Sequence, residues 1–217
     1  MATKAVYILL AGGKSSRMGV AKGLLKYRHT FWLLEQLERI SKSNCTTIVL
    51  GLGHNYQQYF RAIPWLEAAQ KTPVSFLNTQ LNVVVNETPE LGQFSTLQNC
   101  LKSLKEIANT HSILISPVDT PIDTEVYLNK IIAVDADVAQ LNFEGKNGHP
   151  IKISKKLYDQ LTDIDVNDKE ARLDVQLKKT NPARCAVITT PNRDCIINFN
   201  TPSEWKEYLS YAKLGFQ

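Results

Sequence analysis

Cysteine is scarce in this chain of 217 residues, and Cys45, Cys100, Cys185 and Cys195 stand too far apart to form a C-x-x-C pair. That spacing argues against structural zinc and a disulfide framework, so reduced thiols in a cytoplasmic protein are the expectation. Lysine and arginine form no basic run, and the net charge of +4 is modest. No nucleic-acid partner is expected on that basis. No apolar stretch approaches the length needed to cross a bilayer, so no membrane partner is expected either. The apolar run after Lys4 ends at glycines followed by Lys14 and Arg17, with no small-residue cleavage site, so no signal peptide is expected there. Repeats, low-complexity tracts and interdomain linkers are missing too. With 43% hydrophobic and 21% charged residues, one globular domain over residues 1–217 is expected.

The stretch from Tyr7 to Lys22, YILLAGGKSSRMGVAK, organises the rest. Its first part is an apolar run with the length and composition of a buried strand. It then breaks into glycines (Gly12, Gly13, Gly19), hydroxyls (Ser15, Ser16) and cations (Lys14, Arg17, Lys22). Glycines at a strand's end let the backbone approach a ligand with its N–H groups turned outward. Cations spaced through such a loop suit an anion of several charges, and a polyphosphate is the obvious candidate. A mobile basic turn is the plainer alternative. The P-loop pattern fails because Ile8 stands where its first glycine belongs, and G-x-G-x-x-G fails because Gly12 and Gly13 are adjacent. Gly51-Leu52-Gly53 is followed by Tyr56 in place of the third glycine and is a weak match.

Downstream, strand-like and helix-like segments alternate. Thr30 can cap a helix bearing Phe31, Leu34, Leu37 and Ile40 on one face, and Thr46–Leu50 reads as a strand. Residues 55–69 read as partly helical with a break at Ile63-Pro64, and Val74–Phe76 as a short edge element. Strands are expected at Asn82–Asn86 and Ser112–Ile115, flanking a helix on Leu97, Leu101, Leu104 and Ile107. This alternation predicts an α/β fold with a mostly parallel sheet and helices on both faces. The second half gives strands at Ala136–Leu141, Pro150–Ile153 (entered from a turn over Glu144–Gly148), Ala186–Ile188 and Cys195–Ile197. Helices are expected over Lys155–Leu161, Glu170–Lys178 and Pro202–Leu214.

In such a sheet ligands bind beyond the carboxyl ends of the strands. Ser116-Pro117-Val118-Asp119-Thr120-Pro121 follows one of them. A carboxylate fixed between prolines suits Mg²⁺, which takes one or two carboxylates plus phosphate oxygens. An Asp that begins a turn or caps the next helix is the alternative. Thr201 and Glu204 form a capping box with Pro202 at the first helical position, which leaves Asn198 and Asn200 unexplained. No Ser-His-Asp or Cys-His arrangement is evident.

The first loop resembles the signature L-A-G-G-x-S-x-R-M-G-x-x-K of nucleotidyltransferases with a Rossmann-like fold. Leu10, Ala11, Gly12, Gly13, Ser15, Arg17, Met18, Gly19 and Lys22 match it in order. Together with Asp119 of a D-x-P element, Gly148-His149-Pro150 and the closing Asn200-Thr201-Pro202, the chain resembles the MobA-like and MocA-like group, in particular molybdenum cofactor cytidylyltransferases. The resemblance implies a three-layer fold of the nucleotide-diphospho-sugar transferase type. It implies transfer of a nucleotidyl group from a nucleoside triphosphate, CTP or GTP, to a phosphorylated small molecule such as molybdopterin, with release of pyrophosphate. Leu10 to Ser15, Lys14 included, with Gly92 and Ser95 would bind the nucleotide. Arg17, Lys22 and Asp119 would be catalytic, Asp119 and Asn200 would hold Mg²⁺, and His149 would face the acceptor. A capping role for Ser95 or Thr96 is equally open. The chain departs from the group at Thr120, at the bulky Gln93-Phe94 pair, and at Asn200 where many members have Asp. A sugar- or polyol-phosphate acceptor, or nucleotide binding without catalysis, are the alternatives.

Overall fold

The structure, a computed structural model, describes residues 4–109 and 111–214. The first apolar run becomes β1 (Ala5–Ala11), buried throughout. Its alternate side chains enter two different cores, Tyr7 and Leu9 one and Ile8 and Leu10 the other. A strand covered on both faces needs no polar face, which is why it reads as a continuous apolar run. A small antiparallel pair, β2 (Lys26–Tyr27) with β3 (Thr30–Phe31), follows the glycine loop. Next come α1 (Trp32–Ser41), β4 (Cys45–Leu52), α2 (Tyr56–Ala62), α3 (Trp65–Lys71), β5 (Val74–Phe76) and β6 (Thr79–Val85). After these lie α4 (Gln93–Lys102), β7 (Ser112–Pro117), α5 (Glu125–Ala133), β8 (Val138–Phe143) and β9 (Lys146–Ile153). The chain closes with α6 (Lys155–Asp163), α7 (Leu173–Lys178), β10 (Cys185–Thr189) and α8 (Pro202–Leu214).

One eight-stranded sheet runs in the order β10-β8-β9-β7-β1-β4-β6-β5. Only β5 and β9 run against their neighbours, so the sheet is mostly parallel, as expected. Helices α1, α2, α3, α5 and α8 pack on one face through residues such as Leu37, Tyr59, Leu66, Ile131 and Trp205. On the other face α4 and α6 supply Phe94, Leu97, Leu101, Leu157 and Leu161, and α7 packs Leu173 and Leu177 alongside. The three-layer α/β architecture is therefore present. From β1 the chain steps outward through β4 to β6, then returns to the opposite side of β1 as β7. Strand order thus reverses between β1 and β7, and the crevice beyond their carboxyl ends is where this architecture holds ligands.

Several local expectations are corrected. Thr30 caps nothing: it pairs with Tyr27 in the small ribbon, and α1 starts after Phe31 without a side-chain cap. The segment at Cys195–Ile197 is no strand, because Arg193–Ile196 forms a 3-10 turn. Its apolar residues serve packing, with Cys195 fully buried. The turn before β9 is tighter than Glu144–Gly148, since Glu144 (φ 48°) and Gly145 (φ 82°) alone take positive φ and Lys146 already pairs with Phe143. Gly148 and His149 therefore lie within β9 and not in a loop. Helix α5, with Leu128, Ile131 and Ile132 buried, adds an element to those expected, and α4 ends at Lys102, short of Leu104 and Ile107.

Candidate active site

The glycine loop leaves β1 at the switch point and coils back on itself. Ser15, at φ 52°, presents its carbonyl to the N–H groups of Met18 (3.0 Å) and Gly19 (3.2 Å), and Gly19 closes the turn at φ 71°. Buried Met18 and Ala21 pin the far end. On the near side Gly12 O accepts from His54 N (3.1 Å), and the Asn55 amide donates to Lys14 O (3.2 Å). Gly12 is glycine for packing, since a Cβ there would lie 2.9 Å from Thr96 Oγ1 and 3.3 Å from Gly53 N. Gly13 instead opens onto free space. Among the described residues, no protein acceptor takes the N–H groups of Gly13 through Arg17. A loop with unclaimed N–H donors and three cations is an anion cradle.

Opposite the loop, Asp119 follows β7. Its Oδ2 meets Lys22 Nζ at 2.5 Å, and the same ammonium donates to Asn200 Oδ1 at 3.0 Å. These groups share a cavity of about 230 Å³ with Leu10, Ala11, Gly13, Lys14, Ser15 and Arg17. Both Lys22 and Asp119 are largely buried, with side-chain exposures of 15% and 17%. Two oxygens, one anionic and one amide, thus converge on a point that holds positive charge. That donor set fits Mg²⁺, which completes its shell with phosphate oxygens and water. Among the described residues no group of three or more His, Cys, Asp or Glu could hold a metal, so an all-protein cage is absent there.

The Asp119 segment is braced from both sides. Trp32 Nε1 donates to Val118 O (2.7 Å) and Gln36 Nε2 to Thr120 O (2.8 Å), both from α1. On the other flank Phe199 N donates to Asp119 O (3.1 Å), and Thr120 Oγ1 donates to Asn198 Oδ1 (2.8 Å). Asn198 is thereby committed to Thr120, while Asn200 faces the cavity. Fully buried Phe199 anchors this strip by packing edge-on against Trp32 and Trp205, with ring centroids 5.6 and 5.0 Å apart. The capping box forms as expected: Glu204 Oε2 accepts from the N–H groups of Asn200 (2.6 Å) and Thr201 (2.8 Å). Those bonds, the one from Asn200 first, hold the Glu204 carboxyl below its usual range. Gly148 lets the strip approach β9, since a Cβ there would stand 2.1 Å from Cys195 O.

A second cavity, of about 580 Å³, adjoins the first through Leu10, Gln93 and Pro117. Its walls are mainly apolar, with Leu91, Phe94, Leu97, Ile151 and Leu173, and its polar groups include His149, Gln140 and Arg172. His149 Nδ1 is buried there without a hydrogen-bond partner. Burial lowers the His149 pKa from its ordinary value, partly offset by the Ile115 carbonyl and by Asp119, so the ring is neutral at neutral pH.

Of the residues singled out from sequence, Leu10, Ala11, Gly13, Lys14, Ser15, Arg17, Lys22, Asp119 and Asn200 line the first cavity. Gly92, at φ 91°, and His149 line the second. Gly12 and Ser95 line neither. Ser95 is buried, donating to Gly92 O (2.8 Å) and accepting from the Asn86 amide (2.8 Å), so its hydroxyl fastens the turn before α4. Sequence reasoning passed over Tyr59, Trp32, Gln36 and Phe199. Their roles depend on partners far along the chain, and only the bulk of the aromatics in a charged neighbourhood could have marked them.

Comparison with known proteins bears on this geometry. A family model described as MobA-like NTP transferase domain matches residues 7–180. The chain belongs to that family. This MobA-like protein is accordingly a nucleotidyltransferase. It is 22% identical over 202 residues to a molybdenum cofactor guanylyltransferase from Xanthomonas euvesicatoria pv. vesicatoria, an alignment covering 93% of each chain. Its fold matches that of Rv0371c from Mycobacterium tuberculosis H37Rv with a TM-score of 0.73 at 20% identity, over 97% of this chain and 99% of that one. The manganese complex of Rv0371c superposes with a TM-score of 0.69 at 18% identity, over 97% of this chain and 100% of that one. HddC from Yersinia pseudotuberculosis, solved with GMP-PN, gives a TM-score of 0.67 at 16% identity, over 96% and 99%. Among the described residues no helix is long and apolar enough to cross a membrane.

Proposed function

We propose that this protein transfers a nucleoside monophosphate from GTP or CTP to the phosphate of a small acceptor of the molybdopterin kind, releasing pyrophosphate. The observation that carries the reading is the convergence of Lys22, Asp119 and Asn200 at the mouth of a glycine loop with unclaimed N–H groups. The acceptor phosphate is the nucleophile. Already ionised near neutral pH, it needs no general base, in keeping with a cavity that has no histidine on its wall. Catalysis is then positioning and charge neutralisation. Backbone N–H groups of Gly13 to Ser15 receive the triphosphate. Arg17 and Lys22 neutralise charge building on the α-phosphate and the leaving pyrophosphate. Asp119 and Asn200 would hold the divalent cation, Mg²⁺, which would supply charge neutralisation for the phosphate oxygens.

Support for the acceptor comes from the second cavity. Walls of leucine, phenylalanine and isoleucine suit a flat heterocycle better than a polyol, which would leave its hydroxyls without partners. Neutral His149 offers that heterocycle one hydrogen bond. The guanylyltransferase relative favours GTP as donor, while Gly148-His149-Pro150 speaks for CTP. Pyrophosphate release with Mg²⁺ tests the proposal, offering GTP, CTP, ATP and UTP against molybdopterin and a panel of sugar phosphates. Release with GTP or CTP and molybdopterin is expected. Turnover confined to a sugar phosphate would discard the acceptor and keep the transfer. Tight nucleotide binding without release from any pair would favour a binding protein.

A further inference from the structure

One wall of the first cavity is an aromatic ring that no signature motif contains. Tyr59 is the sole buried residue of α2, 1% exposed, and it stands beside the segment that carries Lys22. Its hydroxyl accepts from Gly23 N at 3.2 Å. The fit is close, because a Cβ on Gly23 would lie 2.8 Å from the Tyr59 ring. That contact uses a lone pair and leaves the phenolic proton unassigned. Among the described residues no protein group accepts it, although Tyr59 lines the cavity with Lys14, Ser15, Arg17, Lys22 and Asp119.

A buried hydroxyl whose proton has no acceptor costs free energy unless a ligand supplies one. The cavity tells which ligand that is. Its other side chains are chiefly donors, and its one carboxylate is engaged by Lys22. An incoming group must therefore be rich in acceptor oxygens and negative charge, as a phosphate chain is. We propose that Tyr59 is a phosphate ligand of the nucleotide site, donating its phenolic hydrogen to a phosphoryl oxygen while its lone pair steadies Gly23. Burial raises the phenol's pKa well above its ordinary value, so the proton stays available throughout the working pH range. The proposal rests on the phosphate reading of the loop.

The test measures binding of inorganic tripolyphosphate, and separately of a nucleoside without phosphates, by calorimetry on the wild-type protein and Tyr59→Phe. Phenylalanine keeps the ring that packs against Gly23 and removes only the hydroxyl. A hydrogen bond to a charged acceptor predicts about tenfold weaker tripolyphosphate binding with nucleoside binding unchanged. Equal tripolyphosphate affinity in a folded Tyr59→Phe variant, or an equal loss for the nucleoside, overturns the assignment. A wild-type protein that binds no tripolyphosphate removes the phosphate site itself, a different failure. Because Tyr59→Phe also frees Gly23 N and could unfold locally, 3-fluorotyrosine placed at position 59 gives a second readout. Its ¹⁹F resonance shifts with tripolyphosphate and not with nucleoside if the hydroxyl meets phosphate, and an unmoved signal refutes the contact.

Discussion

Replacing Gly148 by alanine puts the closure of the site under direct test. The added Cβ would lie 2.1 Å from Cys195 O, 2.6 Å from Cys195 C and 3.0 Å from Ile196 Cγ2. The two nearest are backbone atoms, so no rotamer change relieves the clash. Restoring van der Waals contact separates β9 from the 193–196 turn by roughly 1 Å. Overpacking of this kind costs about 1–3 kcal/mol, and backbone against backbone falls at the upper end. For a domain of this size, 3 kcal/mol lowers Tm by roughly 6–12 °C. The functional loss should be larger than the stability loss, because the turn leads directly into Asn198, Phe199 and Asn200. An Asn200 oxygen displaced by about 1 Å from Asp119 implies a turnover loss of about 100-fold, the usual consequence of misplacement on that scale. Differential scanning calorimetry and pyrophosphate release on the same preparation measure both. A variant with unchanged Tm and turnover would refute the close approach and the argument that it positions Asn200.

Three further outcomes follow from the same geometry. Asp119→Ala and Lys22→Ala should each fold normally and lose about 100-fold or more in turnover with Mg²⁺, and a folded Asp119→Ala of full activity removes the metal assignment. Gly13→Ala should keep the parental Tm, since its Cβ meets nothing within 4 Å and its φ is unstrained, yet weaken triphosphate binding in a titration by crowding the cradle; a fall in Tm would contradict the open space. His149 makes the protein acid-sensitive: with its folded pKa below the unfolded value of about 6.5, the unfolded state takes up the extra proton, so stability is intact above that pH and falls as pH drops below it. His149→Gln should therefore lose less Tm than the parent between pH 7.5 and pH 5, and parallel curves for the two proteins would show that His149 does not titrate there.

Strand β1 was legible because burial on both faces leaves a pure apolar run, and the loop after it because glycine, hydroxyl and cation together have few other uses. Asp119 followed from the rule that ligands sit beyond strand ends. Cys195–Ile197 misled because β-branched and apolar residues suit a strand, and only the contact at Gly148 shows why the segment instead lies across β9. Helix α5 was not legible because it starts after Thr124 without a side-chain cap, just beyond the proline-flanked Asp119 turn. Ser95 read equally well as a nucleotide contact or a helix cap, and its bond to Asn86 was not legible because that partner sits across a turn that sequence spacing does not disclose. The bracing by Trp32 and Gln36 was hidden for the same reason: their acceptors are the carbonyls of Val118 and Thr120, and carbonyls carry no sequence signature.

The bond from Lys22 to Asn200 joins residues 178 positions apart. On a ribosome adding roughly 5–20 residues per second, Lys22 waits on the order of ten to thirty-five seconds before its partner is made. Asp119 is made 97 residues after Lys22, a little past the middle of that interval, with Phe199 and Asn200 still to come. Until then the Asp119 segment beside the glycine loop lacks the bond from Phe199 N to Asp119 O. The strip that carries Asn200 is therefore among the last parts of the site to be synthesised, just before Trp205 and Tyr208, two of the rings that pack around Phe199. Tryptophan fluorescence during refolding would report when Phe199 seats against Trp32 and Trp205.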